Sequence, residues 1–253
     1  MSRALRYAAL GDSFTEGVGD VRKDGSVRGW ADLVAKRIAK TEPLDYLNLA
    51  VRGRQLAPIA TDQLDAALAL SPDVLTFCGG GNDLLAIRPN LAALRATTES
   101  VIVRTQRAGV RLVMLSNADP TAHLPMGRAI RRNALALHDM VCELVDEYGV
   151  ELVDTFVDAE LRRAAYWSAD RIHLNRRGHR RVAASVLAHL GYRAPAKWTT
   201  SAPGPDPVPS RFDAAAFGAR QLPLVARDRL LRSASGDDRR PKHADWQRLP
   251  VAG

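Results

Sequence analysis

Four short blocks of the chain combine the residue types that nucleophilic catalysis needs. The first is Gly11-Asp12-Ser13-Phe14-Thr15-Glu16-Gly17, which follows an apolar run. A serine on a tight strand-to-helix turn exposes its hydroxyl, and neighbouring backbone N–H groups face any negative charge that develops there. It is not a G-x-S-x-G elbow, because Thr15 stands where that motif has glycine. Taken alone, Asp12 or Ser13 is equally at home as a helix cap. The second block is Asn82-Asp83 behind Gly79-Gly80-Gly81. An Asn amide at a strand end can donate to an oxyanion, although Gly, Asn and Asp are also turn formers. The third is Gly53 in Asn48-Leu49-Ala50-Val51-Arg52-Gly53-Arg54, a second source of a backbone donor or simply a loop glycine. The fourth is Asp170-Arg171-Ile172-His173. A serine needs an imidazole as base, and the imidazole needs a carboxylate to fix its tautomer. Three residues apart, Asp170 and His173 can meet within one turn; a surface Asp and His before a helix is the plain alternative.

The elements that must position these blocks are legible as alternation. Apolar runs at 7–10, 46–49, 74–77, 112–115 and 150–153 each end at polar or glycine positions, as buried parallel strands do. Between them, 30–40, 55–70, 90–108, 127–148 and 177–190 carry apolar residues at helical spacing. Such alternation predicts a parallel sheet with helices on both faces, and ligands of such sheets sit at the carboxyl ends of the strands. All four blocks fall there.

Together and in this order, the blocks resemble the SGNH hydrolases, the GDSL-type esterase and lipase superfamily. The resemblance spans roughly residues 5–192, with Phe14 where the name-giving motif has Leu and the loosest match around Gly53. It implies a three-layer α/β/α domain with a five-stranded parallel sheet, of flavodoxin-like SGNH type. It also implies carboxylic ester cleavage through an acyl-enzyme. Ser13 would be the nucleophile, His173 the base and Asp170 its orienting carboxylate. The Ser13 and Gly53 N–H groups and the Asn82 side chain would hold the oxyanion, with Ala118, Asp119 and Pro120 lining the acyl pocket. Carbohydrate deacetylation and lysophospholipid cleavage use the same machinery. A non-catalytic scaffold that binds an anionic partner is the alternative outside enzymes. No metal or organic cofactor is implied.

The chain has 253 residues, 46% hydrophobic and 25% charged, which excludes a collagen-like repeat, wholesale disorder or a disulfide-stapled miniature. Cys78 and Cys142 are too few and too far apart for a framework, and read as reduced thiols. The six histidines are scattered without zinc-site spacing, and His138 reads as a surface or packing residue. No apolar stretch approaches the roughly 20 residues that cross a bilayer, and no secretory leader precedes the first strand, so the cytoplasm is the expected location.

The net charge is +8, and 31 of the 36 basic residues are Arg. Arg131-Arg132 and Arg176, Arg177, Arg180 and Arg181 read as solvated helix faces, or as a rim recruiting an anionic substrate or surface. Specific nucleic-acid binding is not indicated, since basic residues are not interleaved with aromatics. The expected domain covers residues 1–194. Residues 195–253 carry ten Lys or Arg against six Asp and read as an appendage. It comprises a Pro-rich linker over 195–210, a short amphipathic helix within 213–232 interrupted by Pro223, and a disordered final 20 residues. Removing 200–253 is expected to leave small-ester turnover intact.

Overall fold

Strand and helix alternate as the apolar runs require. The computed structural model describes residues 3–85, 89–122, 124, 127–206 and 239–251. The chain begins with β1 (Leu5–Leu10), α1 (Ser13–Glu16), α2 (Trp30–Ile38) and β2 (Leu44–Asn48). Next come α3 (Leu56–Pro58), a π-helical turn (Ile59–Gln63), α4 (Leu64–Ala69) and β3 (Val74–Phe77). Then follow α5 (Leu91–Arg107), β4 (Arg111–Leu115), α6 (Gly127–Tyr148), β5 (Glu151–Val153), α7 (Arg176–His189) and β6 (His243–Leu249). The predicted helix over 213–232 lies outside the described residues. Among the described residues, no helix is long and apolar enough to cross a membrane.

The strands form one sheet in the order β5-β4-β3-β1-β2-β6. The first five run parallel, and β1 is central, with β2 on one side and β3 on the other. The chain therefore leaves β1 toward one edge and later crosses back to the other, which opens a crevice at the carboxyl end of β1. Side chains alternate across the sheet. Tyr7, Ala9, Tyr46, Val113 and Leu115 pack with Trp30, Val34, Val182 and Val186 of α2 and α7. Ala8, Leu10, Leu47, Leu75 and Met114 pack with Ile59, Leu64, Val101, Leu137 and Leu144 on the opposite face. Three layers result, as expected.

The sheet departs from expectation by a sixth strand. Residues 243–249, read as disordered, pair antiparallel with β2, Asp45 opposite Arg248 and Leu44 opposite Leu249. The reason is electrostatic as much as apolar. Arg248 Nε reaches the buried Asp45 carboxylate at 2.5 Å, and Lys242 Nζ reaches Asp32 at 2.6 Å. Arg6 also lies 5.8 Å from the centroid of the Trp246 ring. The expected linker packs back as well. Ala202 is buried, its N–H donating to Glu160 (3.2 Å) and the Tyr166 hydroxyl (3.1 Å), and the Ala164 N–H donates to Asp206 at 3.1 Å.

Candidate active site

Ser13 is the first residue of α1, three positions past the end of β1. Asp12 caps that helix, its Oδ1 accepting from the Phe14 N–H at 3.0 Å. The helix stops after one turn at Gly17, whose φ of 101° is left-handed. A Cβ there would meet the Gly29 nitrogen at 2.1 Å, so only glycine lets the Ser13 turn lie this close to the start of α2. The turn is also clamped from behind. Gln63, on the π-helical turn, accepts from Gly11 N–H and donates to Gly11 C=O, each at 2.9 Å. A π-turn widens the helix by one residue and re-aims a side chain, and here it delivers a buried amide to the strand end.

The loop before α7 carries the imidazole. Trp167 and Leu174 pair across it, the Ser168 N–H donates to the His173 carbonyl at 2.8 Å, and Arg171 takes a left-handed φ of 58° at the tip. Asp170 sits inside this small hairpin. Its Oδ1 accepts from the Ser168 hydroxyl (2.6 Å), Ile172 N–H (2.9 Å) and His173 N–H (3.0 Å). Its Oδ2 meets His173 Nδ1 at 2.6 Å. Burial works against ionisation of Asp170, but the His173 ring, its backbone N–H and the Ser168 hydroxyl outweigh it and hold the carboxyl well below its ordinary range. The pairing anticipated between Asp170 and His173 is therefore present, with Nε2 left for another partner.

Ser13, Asn82 and His173 line one cavity of about 220 Å³. Asn82 Nδ2 donates to Asp12 Oδ2 at 3.0 Å and to the Arg54 carbonyl at 2.9 Å. Burial pushes the Asp12 carboxyl up to about 6, with Asp83 adding to it and the Phe14 N–H and His173 opposing. Gly53 is not among the described residues lining the cavity, and its loop reaches the site through that Arg54 carbonyl. Arg52 fixes the same loop by pairing with Glu16 of α1 at 2.5 Å. Ala118, Asp119 and Pro120 do line the cavity. The Asp119 side chain is fully buried, bonded to Thr121 and paired with Arg131 and, at 3.2 Å, Arg162.

The rest of the wall is apolar: Leu56, Phe77, Leu84, Met114, Leu137 and Phe156. Gly79 and Gly80 serve that wall, since a Cβ on either would press on Leu56 or Leu137. Of the arginines named from sequence, Arg176 pairs with Asp20 (2.9 Å), Arg181 with Asp158 (2.6 Å) and Arg131 with Asp119, so three of the six balance carboxylates of the fold.

Sequence reasoning missed Gln63 and Arg54 because their partners lie far along the chain. It also missed His138, which lines the cavity.

The sequence profile of the GDSL-like Lipase/Acylhydrolase family matches residues 9–181. The chain belongs to that family. As a GDSL-like hydrolase it is a carboxylic ester hydrolase, and its sheet matches solved esterases at low identity. An α/β hydrolase from the metagenome of Lake Arreo superposes with a TM-score of 0.63 at 20% identity, covering 76% of this chain and 97% of that one. An acetyl xylan esterase variant from Geobacillus stearothermophilus gives 0.64 at 17% identity, covering 76% and 97%. A psychrotrophic esterase from Pseudoalteromonas gives 0.59 at 16% identity, covering 74% and 96%. No curated protein sequence matches the chain.

Proposed function

We propose that this GDSL-like hydrolase cleaves esters whose acyl part is an apolar chain, through an acyl-enzyme on Ser13. The observation that carries the proposal is the cavity itself: Ser13, His173 and Asn82 open onto a wall built from Leu, Met and Phe. In the first half-reaction Ser13 Oγ attacks the acyl carbonyl while His173 Nε2 takes its proton, and Asp170 stabilises the imidazolium through Nδ1–H. The oxyanion draws on the Ser13 N–H and on Asn82 Nδ2, which exchanges one of its two resting partners for the substrate oxygen; the Gly53 N–H joins them only if its loop moves toward the cavity. His173 then returns the proton to the leaving alcohol. Water repeats the sequence on the acyl-enzyme and releases the acid. Deacetylation of a sugar would use the same groups but leave the apolar wall empty.

Each buried methylene is worth about 0.8 kcal/mol, so kcat/KM should rise roughly three- to fourfold per carbon from p-nitrophenyl acetate until the wall is filled. Acetate as the best substrate would turn the assignment toward a deacetylase. The Ser13→Ala variant should lose turnover at every chain length, and a fluorophosphonate should label wild type at Ser13 alone. Labelling elsewhere, or unchanged turnover in Ser13→Ala, overturns the mechanism.

A further inference from the structure

The mechanism leaves His138 unused, although it lies in the cavity wall. His138 and Cys142 stand one turn apart on α6, and Asp154 follows β5. Their donor atoms converge: His138 Nε2 lies 2.9 Å from Asp154 Oδ2 and 3.5 Å from Cys142 Sγ, and all three lie within 4.8 Å of one another. Hydrogen bonding serves this arrangement unevenly: Nε2–H donates to Asp154 Oδ2, and Cys142 Sγ is at most a weak second acceptor of the same N–H. A cation satisfies all three at once.

We propose that His138, Cys142 and Asp154 form a binding site for a zinc-type transition-metal ion beside the cavity, reaching its wall through His138. Imidazole, thiolate and carboxylate together suit zinc and its neighbours and disfavour magnesium or calcium. The spacing agrees. With Zn–S of about 2.3 Å and Zn–N of about 2.0–2.1 Å, the sulfur–nitrogen edge of a tetrahedron is about 3.6 Å, against the 3.5 Å observed. The nitrogen–oxygen edge, now a hydrogen bond, opens by about half an ångström on binding.

The groups behind the ligands are those that metal sites use. Asp154 Oδ1 is held by the Ser116 hydroxyl (2.7 Å) and the Phe156 N–H (3.1 Å), which leaves Oδ2 to turn inward. Asp139 Oδ1 lies 3.4 Å from His138 Nδ1, and the ring stacks on Phe156 with centroids 4.6 Å apart. A carboxylate behind a ligating imidazole fixes its tautomer. Asp139 and Asp146 also make the surroundings negative, while Arg131, over the Phe156 ring, is paired with Asp119. On binding, Cys142 Sγ loses its proton to solvent. The imidazole proton moves from Nε2 to Nδ1, where Asp139 accepts it, so one proton is released per ion.

The test is titration of the full, tag-free chain with Co²⁺ followed by absorption and with Zn²⁺ followed by calorimetry. One ion per chain is expected, with a thiolate-to-cobalt charge-transfer band that is absent in Cys142→Ala. Zinc affinity should fall roughly tenfold or more in Cys142→Ala and in Asp154→Asn. Melting curves of the metal-free variants establish folding. If Asp154→Asn does not fold, Cys142→Ala decides, because alanine keeps the helix. The site is refuted by absence of one-to-one binding or by a band that persists without Cys142. It is equally refuted by binding lost only in His173→Ala, which would put the ion on the catalytic imidazole. None of these readouts depends on ester turnover.

Discussion

Asp170→Asn separates the chemical role of the Asp170 carboxylate from its structural one. The three contacts that hold the loop all end on Oδ1, from the Ser168 hydroxyl and the N–H groups of Ile172 and His173. An amide oxygen at that position keeps them. Only Oδ2, 2.6 Å from His173 Nδ1, is exchanged for an NH₂. That group donates to Nδ1 instead of accepting from it, so the ring proton moves to Nε2 and the base can no longer receive the Ser13 proton. In a Ser–His–Asp triad this change costs about 10⁴ in kcat, which is about 5.5 kcal/mol of transition-state stabilisation. The assay is steady-state hydrolysis of p-nitrophenyl esters beside thermal melting. At pH 7 Asp170→Asn should melt somewhat below wild type, having lost the charged contact to His173, and Asp170→Ala, which loses all four contacts, should melt lower still as well as lose activity. The acid limb adds a check. The folded carboxyl ionises below its ordinary 3.8, so its contribution is complete above that pH and lost as pH falls through it. The gap in stability between wild type and Asp170→Asn should therefore narrow in that range. An Asn variant within about tenfold of wild-type kcat would refute Asp170 as the orienting group.

Other expectations follow from neighbouring geometry. Asn82→Ala should lower kcat by about 10²–10³ with KM little changed; an unchanged kcat would remove Asn82 from the oxyanion hole. Gln63→Leu leaves the Gly11 N–H buried and unpaired, at about 1–3 kcal/mol, while the Gly11 C=O keeps the Val51 N–H; a urea midpoint equal to wild type would contradict the clamp. Deleting residues 239–253 strips Arg248 from Asp45 and Lys242 from Asp32 and from the Glu16 carbonyl. It should cost several kcal/mol and reduce turnover, unlike the sequence-based expectation for a 200–253 truncation; a fully active, equally stable truncation would restore that expectation. His179 is fully buried, donating Nε2–H to the Val18 carbonyl at 3.0 Å, and burial pushes it down to about 4 from 6.5. The unfolded chain binds the extra proton between these values, so wild type should lose up to about 3 kcal/mol relative to His179→Gln as pH falls from 6.5 to 4. A pH-independent difference between the two would exclude His179 as the source.

Strands β1 to β5 and the helices between them were legible because each buries an apolar face in one local stretch of chain. The Asp170–His173 pair was legible for the same reason, since both groups share one turn. Long-range contacts were not. Nothing around Gln63 announces that its amide closes on Gly11, 52 positions earlier. β6 was hidden by composition, because His-Ala-Asp-Trp-Gln-Arg-Leu has no apolar run. An edge strand needs none, and its partners are carboxylates placed by other elements. Asp154 escaped notice as a partner of His138 because helix spacing links His138 to Cys142 but cannot point to the next strand.

The pairing of β2 with β6 has a consequence for how the molecule is made. Asn48 is opposite His243, 195 residues further on. The other strands end at Val153, 90 residues before His243, so at about 5–20 residues per second of synthesis the edge of β2 stands bare for about 5–18 seconds after the rest of the sheet is able to assemble. An unpaired edge of this kind is a template for a neighbouring chain. A ribosome that stalls before the codon for His243 thus releases a sheet still ready to pair with another nascent chain.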